Sequence, residues 1–426
     1  MVTKTRVLLS YAGAILMNGV AGNFNNYGVI SPYFASYFYQ QDTSIRNSDF
    51  IQVPGIASIS ECLTTLMISY LIKYIRAYYL ILMITIFSCL TMFLASFISN
   101  PLVFCWVFGL SLGSLSGCIL LPSIWILWNH FPEHKGKISG ITLAGYSFGA
   151  VPFGLMFTYL VNPGGEKAFE VAGTDREKMF GQGVTEFVPF GIRFISICYL
   201  ICALTGLFLI PREVSPTKVR NTPSTQNTNF NDMIKSFPFW NLFFMILIAL
   251  AGSFYMLNLY KIVGINFLND DIFISYVGAT FFILAGVGRI FFGYLFDKYN
   301  WKIIMCINYI ICALLMGTFW FTLNSKFFFG FYVISYNFIG SSMYCSVLLQ
   351  TDKAFPNDEK VVSYVCLAFM PLYFSGYFFD ALITPNLGYF NTFLILSAMN
   401  IIATLQVLIQ PTATKSKLFN NLLTPA

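Results

Sequence analysis

Two ionisable residues stand inside long apolar runs, Glu61 in SISECLTTLM and Arg289 in LAGVGRIFFGYL. At the centre of a membrane helix such a side chain costs about 2.5–3.5 kcal/mol on insertion scales, so each is a functional candidate by default. The guanidinium of Arg289 is a planar, permanently charged fork of donors matched to a carboxylate. In a water-accessible cavity it would bind an organic anion. The alternative is that it pairs with loop acids or snorkels to the interface, seven residues away, which is about 10 Å at the helical rise. Glu61 is the candidate for carrying a coupling proton, with structural pairing to a polar neighbour as the alternative. Lys261 and Asp380 lie near the ends of their runs, where snorkelling accommodates them.

Neutral polar residues gather by helix face. Asn18, Gly22, Asn25 and Asn26 follow the spacing of one stripe in the first run. The fourth run offers Ser111, Ser114 and Cys118, the seventh Tyr255 and Asn258, and the tenth Asn337, Ser341 and Tyr344. Such stripes line a wet cavity or glue helices together. Three asparagines on one stripe exceed what packing requires, which favours the cavity for the first run. The candidate substrate-binding set is therefore Arg289 with Asn25, Asn26, Tyr146, Tyr255, Asn258, Asn337 and Ser341. Gly145-x-x-x-Gly149-x-x-Pro152-x-Gly154 reads as close helix packing with a bend.

Other chemistries find little support. All ten cysteines lie inside apolar runs without a C-x-x-C pair, as small packing residues do. The only histidines, His130 and His134, flank Glu133 in one short loop, which reads as solvated rather than metal-binding. No Walker sequence, selectivity-filter repeat or H-E-x-x-H occurs. No cofactor or metal is expected, and no enzyme activity. The basic residues are scattered in short clusters between apolar runs, which argues against nucleic acid as a partner.

The elements that must position these residues follow from composition. Of 426 residues, 57% are hydrophobic and only 10% charged, against about 25% charged in soluble domains. Twelve apolar segments are bounded by charge, Pro or Gly, at 7–38, 50–72, 78–99, 102–128, 138–161, 191–210, 239–263, 272–296, 303–323, 327–349, 361–383 and 390–409. They are spans one to twelve below. Continuous apolar runs exclude a membrane β-barrel. Sixteen of the 24 Lys and Arg fall on the side that holds both termini, which is thereby expected to be cytoplasmic in a multi-pass membrane protein of unspecified membrane. Lys4 and Arg6 lead into a first span and not a cleaved signal. The loop 162–190 is either plainly solvated or a small cap.

The proline-containing stretch 211–238 divides a six-helix half, 1–210, from a second, 239–426. The halves match at a constant offset of 224: Tyr70-Leu71 with Tyr294-Leu295, Phe131-Pro132 with Phe355-Pro356, and Leu143-Ala144 with Leu367-Ala368. The expected fold is all-α, twelve transmembrane helices in two six-helix pseudo-repeats. Repeats of this kind commonly place a substrate site at their interface.

Gly288 to Lys302, reading GRIFFGYLFDKYNWK, resembles the loop signature of the major facilitator superfamily in its second-half copy, and implies a gating loop with Gly293, Asp297 and Lys298. Phe131 to Lys137, running on to Gly154, and Tyr27 to Phe34 are similar to the oxalate/formate antiporter and monocarboxylate transporter branch. The resemblance implies a cavity lined by spans one, four, seven and ten, with Arg289 at the position of a substrate-carboxylate arginine. Departures narrow it. Lys73 stands where the repeat mate Asp297 has an acid, span eleven has no lysine beyond Lys360, and Ala285 replaces the aspartate of proton-coupled carriers. A monoanion is then favoured over a dianion. The implied function is secondary transport of a small organic anion, a monocarboxylate, by uniport, proton symport or exchange. The alternatives are a transporter-like accessory subunit of a membrane complex and a carrier of amino acids or neutral solutes.

Overall fold

Spans four, eight and nine begin where the sequence supplies a cap. Asn100 Oδ1 accepts the backbone N–H groups of Leu102 and Val103 at 3.0 and 3.1 Å, and Pro101 takes the first position of the helix Pro101–His130. Asp270 accepts the N–H of Phe273 at 3.0 Å to start Asp271–Lys298, and Asn300 accepts that of Lys302 at 3.1 Å to start Trp301–Thr318. The computed structural model describes residues 4–50, 52–166, 168–170, 178–210, 230–268, 270–355 and 359–411. Helices account for most of them, and each of the twelve apolar segments falls on helix.

Eight of these helices are long and apolar enough to cross a membrane on that ground alone. The other four spans are broken or polar. Span one is Lys4–Ala21, a tighter 3₁₀ turn at Gly22–Asn26, then Tyr27–Tyr39. Span two, Gln52–Leu71, contains Glu61, and span ten, Lys326–Ala354, is rich in hydroxyls and amides. Span eleven is Glu359–Cys366, then Phe369–Phe378 running into a π turn at Phe379–Ile383.

The described residues form two compact units, one within Met1–Leu127 and Gly145–Glu213, the other within Trp128–Ala144 and Val214–Ala426. In the first, span six packs along spans one and three. Spans three and four meet through paired hydroxyls and a thiol. Ser88 lies 2.7 Å from Ser114, Ser111 donates to Thr91 at 2.7 Å, and Thr85 is 3.5 Å from Cys118. The serine stripe of span four thus glues helices and does not line a cavity. Spans one and five cross at glycines: a Cβ on Gly149 would stand 2.1 Å from the carbonyl oxygen of Gly19. The loop 162–190 docks through its described residues. Met179 is fully buried, the Phe180 N–H donates to Ser36 Oγ at 2.9 Å, and Phe180 stacks on Tyr33 at 4.8 Å. The cap reading of that loop fits this docking better than the solvated one.

In the second unit, span eight packs along span ten and span nine along span twelve, while span seven touches ten, eleven and twelve. Lys326, at the start of span ten, pairs with Asp270, at the start of span eight. The ten cysteines are free thiols, seven of them buried.

Two outcomes follow. Gly149→Ala should lower the thermal unfolding temperature of the detergent-purified protein, because spans one and five must separate. Gly28→Ala, with nothing within 4 Å of its added Cβ, should leave it unchanged or raise it. Asp270 is held below the ordinary carboxylate range, first by its bond from Lys326 and then by the Phe273 N–H. A depressed folded pKa means that the unfolded chain binds the proton more readily. The stabilisation from Asp270 is therefore full near neutral pH and lost as pH falls through the folded value, below the usual value of about 3.9. The gap in unfolding temperature between wild type and Asp270→Asn should close on acidification, and a gap constant with pH would refute the assignment.

Candidate functional site

The helix Lys135–Phe148 begins after a 3₁₀ turn at Pro132–His134, and its first turn leaves backbone N–H groups without helical partners. Asp297, in the last turn of span eight, supplies the acceptor. Its Oδ1 takes the N–H of Gly136 at 2.7 Å and its Oδ2 the N–H of Lys137 at 2.8 Å. Hydrogen bonds to a charged group are worth about 1.5–3 kcal/mol each, and a carboxylate at a helix N-terminus gains from the helix dipole as well. Beside it Lys135 Nζ pairs with Asp352 of span ten at 2.6 Å and lies over the Trp128 ring, whose Nε1 donates to the Lys135 carbonyl.

One turn further along, the two backbones nearly touch. A Cβ on Gly140 would stand 2.3 Å from the Arg289 carbonyl oxygen, and one on Gly293 would stand 2.9 Å from the Gly140 Cα. A third turn brings Arg289 itself. It is 6% exposed, its Nη1 donates to the Leu143 carbonyl at 2.7 Å, and its guanidinium lies 4.7 Å from the Tyr344 ring centroid. The pairs 136/297, 140/293 and 143/289 form one antiparallel register between the start of span five and the end of span eight. Arg289 is buried among span five, span eight and span ten, so snorkelling to the interface does not describe it.

The remaining expected residues divide. Asn337 donates to the Val333 carbonyl and Ser341 to the Phe338 carbonyl of their own helix. Ser341 also packs against Gly288, one residue from Arg289. Tyr255 is fully buried, edge-on to Phe379 and Phe393. The Asn258, Lys261 and Asp380 side chains lie outside the described residues. In the first unit Asn26 donates to Asn23 Oδ1 at 3.2 Å, and Asn25 is half-buried. Asn18 donates to Ser123 Oγ at 3.0 Å, which joins spans one and four. Tyr146 is buried, its backbone against Gly22. Glu61 accepts a bond from Ser116 at 2.8 Å. Gly293 and Asp297 belong to the register just described, while Lys298 reaches back over the Tyr294 ring. His130, Glu133 and His134 form no metal set, and no group of three His, Cys, Asp or Glu among the described residues does.

Sequence reasoning missed the partners of Asp297 and Arg289, because backbone N–H and C=O groups carry no residue signature. It also missed the Lys135–Asp352 pair, although the GKISG pattern at 136–140 is a small-xxx-small signal that could have drawn attention to this segment.

Over residues 16–370 the chain matches the Major Facilitator Superfamily, and it belongs to that superfamily. Its fold is the twelve-helix major facilitator fold, and it is accordingly a multi-pass membrane transporter of the secondary class. The proton:xylose symporter XylE, solved with bound 6-bromo-6-deoxy-D-glucose, aligns at a TM-score of 0.69 and 12% identity, covering 96% of this chain and 95% of its own. The transporter FucP, solved in its outward conformation, aligns at 0.68 and 12% identity, covering 96% and 99%. At this identity the likeness is one of fold. No curated protein matches the chain in sequence.

Removing the Asp297 carboxylate should free the start of span five. In Asp297→Ala, hydrogen–deuterium exchange at Gly136 and Lys137 should quicken about tenfold or more, with the core of span nine unchanged. Exchange equal to wild type would show that these bonds do not hold the segment.

Proposed function

We propose that this transporter moves a small organic anion, a monocarboxylate, by alternating access, with Arg289 engaging the carboxylate. The observation that carries the reading is a guanidinium buried in a membrane span, held by a backbone carbonyl and a tyrosine ring. The fork is planar and permanently charged, which matches it to a carboxylate. The xylose symporter among the structural neighbours makes a neutral sugar the second reading, in which hydroxyls would accept hydrogen bonds from the fork without matching its charge.

In the proposed cycle, 1–210 and 239–426 act as the two halves, joined by 211–238, with both termini cytoplasmic. The contacts of Asp297, Gly293 and Arg289 with Trp128–Ala144 then form a latch on the cytoplasmic side, released and remade as the halves rock. Gly293, Asp297 and Lys298 serve as the gating loop. Glu61, bonded to Ser116, is the deep carboxyl group available to carry a proton. Asn25, Asn26, Tyr146, Tyr255, Asn258, Asn337 and Ser341 remain candidates to shape the rest of the substrate path, the first three from the first-half spans. The resemblance to the oxalate/formate and monocarboxylate branch supports the same substrate class.

Proteoliposomes should take up labelled short carboxylates saturably. Arg289→Ala should lose that uptake by about a hundredfold, the scale of one charged hydrogen-bonded contact, and Arg289→Lys should retain part of it. Glu61→Gln should abolish dependence on a proton gradient while leaving exchange. Uptake of xylose unaffected by Arg289→Ala would replace the anion reading with the sugar one. No uptake of any solute by well-folded protein would leave the accessory-subunit reading.

A further inference from the structure

We infer that the anion carried at Arg289 has a flat aromatic body. This rests on the reading of Arg289 as the carboxylate anchor. The guanidinium lies over Tyr344, and Tyr344 stacks parallel on Phe369, with ring centroids 6.0 Å apart and 9° between planes. Phe254 stands 6.4 Å from Tyr344 and edge-on to Tyr373 at 4.9 Å. Spans seven, ten and eleven thus bring four aromatic rings together beside one buried cation.

These rings are not merely filled core. From Gly340 to Thr351 every residue of span ten is buried except Tyr344. That stretch of helix is covered on every side, so the surface Tyr344 keeps is a gap in an otherwise packed wall. Phe369 and Tyr373 are half-buried as well, while Phe254 behind them is fully buried. Phe369 also follows directly on the break in span eleven at Leu367–Ala368, so its ring is presented at the start of a new helical segment.

A ligand whose carboxylate reaches Arg289 passes along the Tyr344 ring and meets Phe369 and Tyr373. Acetate would leave these faces wet. A flat ring would cover them and extend the existing stack, in the offset and edge-on geometries that aromatic groups prefer. The carboxylate supplies the charge for Arg289 and the ring supplies the area for the aromatic wall.

The test is calorimetric binding to the full-length detergent-purified protein, with benzoate, phenylacetate, acetate, lactate and xylose as probes. Benzoate or phenylacetate should bind about tenfold tighter than acetate, the upper range for one aromatic contact. Phe369→Ala should erase that preference without weakening acetate, and Phe369→Leu serves the same purpose should the alanine variant not fold. Arg289→Ala should lose both classes. Acetate or lactate binding through Arg289 as tightly as benzoate would overturn the aromatic class and leave the anion reading standing. Binding of xylose alone, or of no carboxylate at all by cooperatively folded protein, would overturn both.

Discussion

The second unit depends on one carboxylate meeting one helix end. Asp297 accepts two backbone N–H groups at the start of Lys135–Phe148, and that contact sets the register for everything above it. A helix N-terminus and an anion attract along the axis, which aligns the helix. Glycines at 136, 140 and 293 then let the backbones approach until no side chain fits between them. Only at that separation does the Leu143 carbonyl come within 2.7 Å of Arg289. A bulkier residue at any of the three glycines would move the carbonyl out of reach before it touched the arginine.

The register joins span five of the first repeat to span eight of the second, and its residues do not recur at the equivalent positions of spans two and eleven. At the offset of 224 the mates of Asp297, Gly293 and Arg289 are Lys73, Ser69 and Thr65, and those of Gly136 and Gly140 are Lys360 and Tyr364. The acid, the glycines and the arginine are all missing from that copy. Thr65 turns to its neighbour instead and donates to the Gly117 carbonyl at 3.1 Å. Span eleven breaks at Leu367–Ala368, whereas its mate in span five runs unbroken through Leu143–Ala144. A duplicated scaffold therefore carries unequal contacts. An alternating-access carrier needs its two closed forms close in energy, and unequal latches leave the balance to be made elsewhere in the fold.

The spans were legible because hydrophobic runs long enough to cross a bilayer leave little ambiguity, and the caps at Asn100, Asp270 and Asn300 are residues of the expected type. Side-chain roles were less legible. The asparagine stripe of span one was drawn with an α-helical period, but Gly22–Asn26 is a 3₁₀ turn. Its tighter winding brings Asn23 to Asn26 and leaves Asn18 one face for Ser123. The serines of span four belong to a helix–helix seam, a use that has the same sequence pattern as a cavity lining. The seating of Trp128–Ala144 in the second unit left little signal beyond the small-residue pattern at 136–140, because its contacts at Gly136, Gly140 and Leu143 are made through the backbone.

Arg289 joins the two themes. A membrane-buried guanidinium must be compensated, and the Leu143 carbonyl and the Tyr344 ring contribute by offering partial negative charge along the fork and above its plane. On the proposed reading, a ligand carboxylate would engage two donors of the fork, one of which, Nη1, now meets the Leu143 carbonyl. Proposed substrate and proposed latch would then draw on the same side chain, so occupancy of the Arg289 site would bear on whether the two helices stay together.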